Sequence, residues 1–97
     1  MKVLKKEPGG FFQIVDIDNT LQALQRAVDG HIEFHQLDRQ TGIICNEEGR
    51  LNGLPSQNVL GCRWYGTVLL VGTEGEEFTD VSDTWIELMH GRFPDEG

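Results

Sequence analysis

Three residues near the middle of the chain carry side chains that bind metal ions. His31, Glu33 and His35 alternate with apolar residues, and this alternation predicts one face of a β-strand. The two imidazoles would then lie about 13 Å apart, at a rise of about 3.3 Å per residue. Since a zinc–nitrogen bond is about 2 Å long, they could not hold one ion together, and one histidine with Glu33 would need a further ligand from elsewhere. We therefore predict no metal site and no cofactor.

The other candidates for bond-making chemistry lack partners in the sequence. Cys45 and Cys62 are too few for a disulfide framework and do not have the spacing of a metal motif. Arg63 is the one obvious basic neighbour that could activate a thiol. Glu47 and Glu48 are adjacent, and a turn would leave both carboxylates in solvent and not in one site. The sequence therefore predicts a protein that is not an enzyme.

A polar segment, residues 46–58, separates two apolar runs. It reads NEEGRLNGLPSQN and combines turn-forming residues with both signs of charge and with amides that donate and accept hydrogen bonds. A connection of this length is uncommon unless it binds something, and a well-packed connection between strands is the alternative. The residues predicted to form this binding loop are Asn46, Glu47, Glu48, Arg50, Asn52 and Asn58. Trp64 and Tyr65 follow as candidates for stacking on a ligand, with the rim of the core as the alternative.

The net charge is concentrated towards the C-terminal end. Of the net charge of −8, −7 falls in residues 73–97, which hold eight acidic residues and one arginine. This charge disfavours direct binding to nucleic acid, because phosphates attract clustered Lys and Arg. A host protein with a basic surface is the predicted partner, and a solvated surface that only keeps the protein soluble is the alternative. The acidic face is predicted to consist of Glu74, Glu76, Glu77, Asp80, Asp83 and Glu87.

The pattern of apolar and turn residues predicts an α+β domain. The predicted order is ββαβββα, with two helices and a mostly antiparallel sheet of four to five strands. This domain would cover residues 1–91, and residues 92–97 would form a flexible tail. Asn19 is predicted to cap the first helix, and the segment RWYGTVLLVG is predicted to form one strand, central in the sheet. We recognise no signal peptide and no membrane-spanning run, and therefore expect a cytoplasmic protein that does not enter a membrane.

Four stretches together resemble one protein family. They are EPG after the first predicted strand, VDIDNTLQALQRAVDGHIE, CNEEGRLNGLPSQN, and GTVLLVG before the acidic turn. In this order, over residues 1–90, they resemble the domain of unknown function 3846 family, which is common on phages, plasmids and integrative elements. The resemblance implies a cytoplasmic accessory protein of a mobile element, and it carries over no catalytic role.

Two functions remain open on the sequence. In the first, a small acidic accessory protein without enzymatic activity binds a host protein through the acidic face, the binding loop, or both. In the second, the chain binds or sequesters a small molecule of the nucleotide type. The binding loop with Trp64 and Tyr65 would then form the pocket at a dimer interface, because a chain of 97 residues does not readily enclose a deep cavity.

Overall fold

The computed structural model describes residues 1–90 of the chain. The predicted tail 92–97, and the last residue of the predicted domain, Gly91, lie outside the described residues. Within the described range the chain forms eight strands and two helices. In chain order they are β1 (Lys2–Lys6), β2 (Gln13–Asp16), α1 (Leu21–Val28), β3 (Ile32–Asp38), β4 (Thr41–Asn46), β5 (Ser56–Val59), β6 (Cys62–Tyr65), β7 (Val68–Glu74), β8 (Glu77–Thr79) and α2 (Asp83–Met89).

Six of the strands form one sheet. Its order is β2-β1-β7-β4-β3, and β8 pairs with the end of β7 that β1 does not reach. Strands β5 and β6 form a separate hairpin. Every strand pair within residues 1–90 is antiparallel. The predicted α+β class, the two helices and the antiparallel sheet are therefore confirmed, although the sheet has six strands and not four to five.

The additional strands arise at turns that the apolar pattern does not reveal. Gly66 has a φ of 87°, a left-handed conformation that favours glycine, and it divides RWYGTVLLVG into β6 and β7. The prediction of one strand for that segment is therefore wrong. Strand β5 begins inside the segment predicted to be a loop, ends one residue beyond it, and pairs with β6 from Ser56 opposite Tyr65. Strand β8 returns along β7 after a two-residue turn.

Apolar side chains form one core cluster on each face of the main sheet. Helix α1 covers one face, where Leu24 and Val28 are buried. The β5–β6 hairpin and α2 cover the other face, where Val59 is buried and Trp85 packs half-buried against the cluster. Residues 68–71 of β7 are fully buried and alternate between the two clusters. Because β7 also pairs with both β1 and β4, its predicted central position is confirmed.

Both helices begin at a residue whose side chain caps the first turn. The hydroxyl of Thr20 accepts a hydrogen bond from the Ala23 N–H at 3.1 Å, which makes Thr20 the N-cap of α1. Asn19, the predicted cap, instead donates from Nδ2 to the carbonyl oxygen of Phe78 at 2.9 Å. Ser82 caps α2 in the same way as Thr20 caps α1. The longer helix has eight residues, and within residues 1–90 neither helix has the length and apolar character needed to cross a bilayer.

Candidate functional site

A surface groove lies where β3 and β4 meet the binding loop and the β5–β6 hairpin. Its volume is about 400 Å³. Five of the residues that the sequence predicts to contact a partner or ligand line this groove: Asn46, Glu47, Arg50, Trp64 and Tyr65. The lining also includes Arg63 and four side chains with acid–base or metal-binding chemistry: Glu33, His35, Cys45 and Cys62. The fold thus brings into one site residues that the sequence presents as separate candidates.

Asn46 fixes the start of the binding loop. Its side chain is buried, and Nδ2 donates to the carbonyl oxygens of Val28 at 3.0 Å and Asp29 at 3.2 Å, at the end of α1. Its Oδ1 accepts a hydrogen bond from the Glu48 N–H at 2.7 Å. These bonds occupy the amide within the fold. Asn46 therefore borders the groove but acts on the loop, because it sets where the loop leaves the sheet.

The binding loop folds as a series of tight turns. The N–H of Gly49 donates to the carbonyl oxygen of Asn46 at 3.3 Å, and the N–H of Leu54 donates to that of Gly49 at 2.9 Å. A Cβ at Gly49 would lie 2.5 Å from the carbonyl oxygen of Tyr65. Only glycine therefore allows the loop to lie against β6 at this point, and this close approach shapes one side of the groove.

The other five predicted binding-loop residues separate into three environments. Glu47 and Arg50 are exposed and line the groove. Glu48 and Asn52 are also exposed, but they lie on the turns outside the groove lining. Asn58 is half-buried within β5. The structure thus gathers part of the predicted loop set at one site and leaves the rest on the surrounding surface.

Gln57 joins the β5–β6 hairpin to the main sheet. Its side chain is buried, and Nε2 donates to the carbonyl oxygens of Lys6 at 3.1 Å and Gly66 at 2.7 Å. Its Oε1 accepts a hydrogen bond from Nζ of Lys6, a side chain that is itself fully buried. A buried ammonium group is stable only where hydrogen bonds replace its water. The wall of the groove therefore depends on this polar contact as well as on apolar packing.

Trp64 contributes both to the core and to the groove. It is half-buried and packs against the core cluster beneath the hairpin. Its indole Nε1 donates to the carbonyl oxygen of Val59 at 3.1 Å. Its ring meets the imidazole of His35 edge-on, with centroids 5.1 Å apart and an interplanar angle of 75°. Tyr65 is also half-buried and lines the groove. Of the two aromatic residues predicted to stack, Trp64 therefore forms part of the core rim as well as the groove lining.

Glu33, His35 and Cys45 form a compact cluster in the groove. Glu33 of β3 lies opposite Cys45 of β4, and His35 is two residues further along the same face of β3. Nε2 of His35 and Oε2 of Glu33 are 2.6 Å apart, and Sγ of Cys45 lies 3.9 Å from the same oxygen. Burial, followed by the charge and hydrogen bond of Glu33, raises the pKa of Cys45 to about 11. The thiol is therefore protonated near neutral pH and is a poor nucleophile.

The sequence pattern identified two members of this cluster and not the third. It predicted one strand face with Glu33 and His35, on which one histidine with Glu33 would need a further ligand from elsewhere. Cys45 is that neighbour because a β-bulge between Gln36 and Asp38 shifts the pairing by one residue from the register of the two-residue turn, in which Asp38 lies opposite Thr41. The length of the turn alone would have placed Glu33 opposite Asn46, because turn length sets the register of a regular hairpin, and the turn does not reveal the bulge.

The acidic face lies towards the opposite end of β4 and β7 from the groove. Its three hairpin members, Glu74, Glu76 and Glu77, are exposed. Glu74 and Glu77 lie directly opposite each other across the β7–β8 pair, and Glu76 is in the turn between them. Like charges in directly opposed positions destabilise an antiparallel pair. The hairpin thus carries a charge arrangement that does not contribute to its own stability.

The remaining members of the acidic face lie on or before α2. Asp80, Asp83 and Glu87 are exposed. Oδ1 of Asp80 accepts a hydrogen bond from the N–H of Lys2 at 2.8 Å, and Asp83 is in the first turn of α2, where a negative charge is favourable. Within residues 1–90, no ion pair includes any of the six acidic-face residues. Their charges are therefore available to the solvent or to a partner.

Asp38 connects the β3–β4 turn to α2 beside the acidic face. The N–H of Gln40 donates to its Oδ1 at 2.9 Å, and the indole N–H of Trp85 donates to its Oδ2 at 3.1 Å. The hydrogen bond from the Gln40 N–H, which outweighs an opposing effect of burial, lowers the pKa of Asp38 from its ordinary value of 3.8. The ionised carboxylate therefore contributes to the position of α2.

Comparison with known proteins identifies the family but no characterised relative. No curated protein and no solved structure matches the chain. The family described as domain of unknown function (DUF3846) matches residues 1–94. This match covers all the described elements and agrees with the resemblance carried by the sequence motifs. The chain therefore belongs to the domain of unknown function DUF3846 family.

Proposed function

We propose that this chain is a small acidic accessory protein of a mobile element that acts by binding and not by catalysis. Its partner is a host protein with a basic surface, which it meets in the cytoplasm through the acidic face. The observation that carries this proposal is the opposed pair Glu74 and Glu77 at the exposed end of the β7–β8 hairpin. Such a pair costs the free protein stability, and a cationic partner would offset that cost.

Two further observations support the acidic face as the recognition surface. Its six carboxylates are exposed and take part in no ion pair within residues 1–90. Charges that are already solvated and unpaired mainly accelerate encounter and select a partner of opposite charge. The same charges would repel the phosphates of nucleic acid. Charge complementarity with a protein is therefore the simplest use of this surface.

The test begins with affinity capture from host extract at low salt, followed by purification of the captured protein. We expect its affinity for the chain to fall steeply as salt is raised, because salt screens exposed charges. The double variant Glu76→Gln with Glu77→Gln should bind about threefold to tenfold more weakly. The matched control, Asp18→Asn with Asp29→Asn, removes the same charge from exposed positions outside the acidic face and should bind as the wild type does.

Two results would contradict this proposal. One is an affinity that does not change between low salt and molar salt. The other is an equal loss of binding in both double variants, since that would mean that net charge matters and the acidic face does not.

A second candidate function is favoured by the groove itself. The binding loop and the two aromatic residues form one site of about 400 Å³, within the range of about 300–1,000 Å³ that is common for small-molecule sites. Arg50 and Arg63 supply positive charge there, which suits the phosphate of a nucleotide-type ligand. The groove is open to the surface, and a second copy of the chain would close it.

Thermal shift with a panel of nucleotides tests this second candidate. A ligand present at 100 times its dissociation constant should stabilise the protein by about 2.7 kcal/mol. Replacing Arg50 with Gln should reduce that shift, and replacing the exposed Arg39, which lies outside the groove lining, should not. If no nucleotide raises the unfolding temperature, the nucleotide hypothesis is rejected. Sedimentation analysis with and without the ligand measures whether a dimer forms.

A further inference from the structure

We propose that Glu33, His35 and Cys45 bind one Zn²⁺ ion in the groove. The proposal does not depend on the acidic face, and it does not require that the groove binds a nucleotide. It rests on the register that places Glu33 opposite Cys45 and on the distances among the three side chains. The donor atoms of the three residues all lie within 4.8 Å of one another.

The distances match those of a zinc site after small side-chain movements. Ligand atoms around tetrahedral zinc lie about 3.3–3.8 Å apart, given bonds of about 2.0–2.3 Å. Sγ of Cys45 is already 3.9 Å from Oε2 of Glu33. Nε2 of His35 is 2.6 Å from that oxygen, and the pair needs to separate by less than about 1.2 Å to reach the ligand spacing. Rotation of the exposed side chain of Glu33 would supply this change.

The set of donor atoms selects zinc among the common divalent ions. A thiolate and an imidazole favour Zn²⁺ over Mg²⁺ and Ca²⁺, which prefer sites made only of oxygen. When Zn²⁺ binds, it displaces the thiol proton of Cys45, which is released to solvent. The resulting thiolate and the carboxylate of Glu33 together balance the two positive charges of the ion. Glu47 adds a negative charge to the groove, while Arg50 and Arg63 oppose it. The ion would thus sit in a site that is close to neutral.

Neighbouring residues hold two of the three ligands in place. Cys45 is buried in β4, which pairs on both sides, with β3 and β7. The ring of His35 rests against Trp64, whose indole is in turn fixed by its hydrogen bond to Val59. Ligands on rigid strands that are supported in this way lose little conformational freedom on binding metal. Three protein ligands leave one tetrahedral position for water or for a donor atom of a molecule in the groove.

Cobalt substitution tests the proposal directly. The metal-stripped chain is titrated with Co²⁺ alone, and the thiolate-to-cobalt charge-transfer band in the near ultraviolet is recorded. We expect one equivalent of Co²⁺ to produce this band and Zn²⁺ to displace it. Cys45→Ser should abolish the band. Glu33→Gln and His35→Gln should weaken binding by at least about 10-fold to 100-fold, the loss that is typical even for residues that only support a ligand.

Two matched controls use the same residue types near the cluster. Cys62→Ser removes the exposed thiol that also lines the groove, and His31→Gln removes the exposed histidine that precedes β3. Both variants should keep the band and the affinity. If Cys45→Ser does not fold, the affinity of Glu33→Gln for Co²⁺ decides the test. This variant should fold, because the side chain of Glu33 is exposed. The absence of a thiolate band, a band that survives Cys45→Ser, or a band that is lost in Cys62→Ser would overturn the proposal.

Discussion

The groove and the acidic face lie at opposite ends of β4 and β7, and they differ in whether their polar side chains are buried or exposed. Around the groove, the amides of Asn46 and Gln57 are buried and hydrogen-bonded to main-chain groups of other elements. At the acidic face, the carboxylates of Glu74 and Glu77 are exposed and directly opposed. Throughout residues 1–90, every buried side-chain nitrogen or oxygen atom has a hydrogen-bond partner. The polar groups around the groove are therefore removed from water and depend on hydrogen bonds within the protein. The carboxylates of the acidic face remain in solvent.

This difference predicts which substitutions change the stability of the protein and which change its binding to a partner. A buried polar group that loses its partner costs its full desolvation free energy, so that substitutions beneath the groove should unfold the protein before they reveal a function. An exposed charge contributes little to stability, so that substitutions on the acidic face should change binding in a folded protein.

Replacing Gln57 with Leu should have the largest effect. The change removes one acceptor from the buried Lys6 ammonium group and both donors that join the hairpin to the sheet. We expect the free energy of unfolding to fall by about 2–4 kcal/mol, as measured by urea denaturation. Gln13→Leu, at an exposed position of β2, is the control and should change stability by less than about 0.5 kcal/mol. Equal effects of the two variants would show that the Gln57 contacts are not stabilising.

Replacing Asn46 with Ala should have the next largest effect. The variant leaves the carbonyl oxygens of Val28 and Asp29 without this donor and releases the start of the binding loop. We expect a loss of about 1–3 kcal/mol, together with faster amide exchange in the loop. Asn52→Ala removes the same side chain from an exposed turn and should be nearly neutral. If Asn46→Ala is as stable as Asn52→Ala, then Asn46 is free to serve as a binding residue after all.

At the acidic face, a substitution should raise the stability of the protein instead of lowering it. Glu77→Gln removes the charge opposed to Glu74, and we expect the unfolding temperature to rise by about 1–5 °C at low salt. Glu48→Gln, which changes an exposed acid on the binding loop, should leave it unchanged. Added salt should reduce the difference between Glu77→Gln and the wild type, because it screens the repulsion. A lower unfolding temperature in Glu77→Gln would mean that the hairpin needs this charge for folding.

The smallest effect is expected at Asp38, and it should depend on pH. Because its pKa is lowered in the folded protein by the Gln40 N–H, the unfolded state takes up the proton first as the pH falls. The stabilisation is therefore present above the ordinary value of 3.8 and is lost as the pH falls through the lower folded pKa. Asp38→Asn should be slightly less stable than the wild type near neutral pH. The two unfolding temperatures should begin to converge as the pH falls below 3.8 and should meet below the folded pKa. A difference that is not reduced over this range would rule out the charge as its cause.

The local pattern of apolar and polar residues predicted the helices and strands better than it predicted where they end and which segments they contact. The clean alternation in HIEFHQL predicted β3, and the apolar run in GTVLLVG predicted the central strand. The cap of α1 was wrong by one residue, since Asn19 and Thr20 are both good caps and the distant Phe78 carbonyl decides between them. The break at Gly66 accompanies a left-handed φ of 87°, and a Cβ at this position would lie 2.8 Å from Cδ1 of Leu54, which belongs to another segment.

The α+β class, the central strand and the concentration of acidic residues near the C-terminal end follow from the amino-acid sequence, because each of these depends on composition or on a repeat of two to four residues. The contacts of Cys45 with Glu33 and His35, and the burial of Gln57 against Lys6, follow from strand pairing and packing between distant segments. A shift of one residue in the pairing of two strands moves every side chain to the opposite face. Strand register and packing across the whole fold therefore determine which residues line the groove, and no local pattern specifies them.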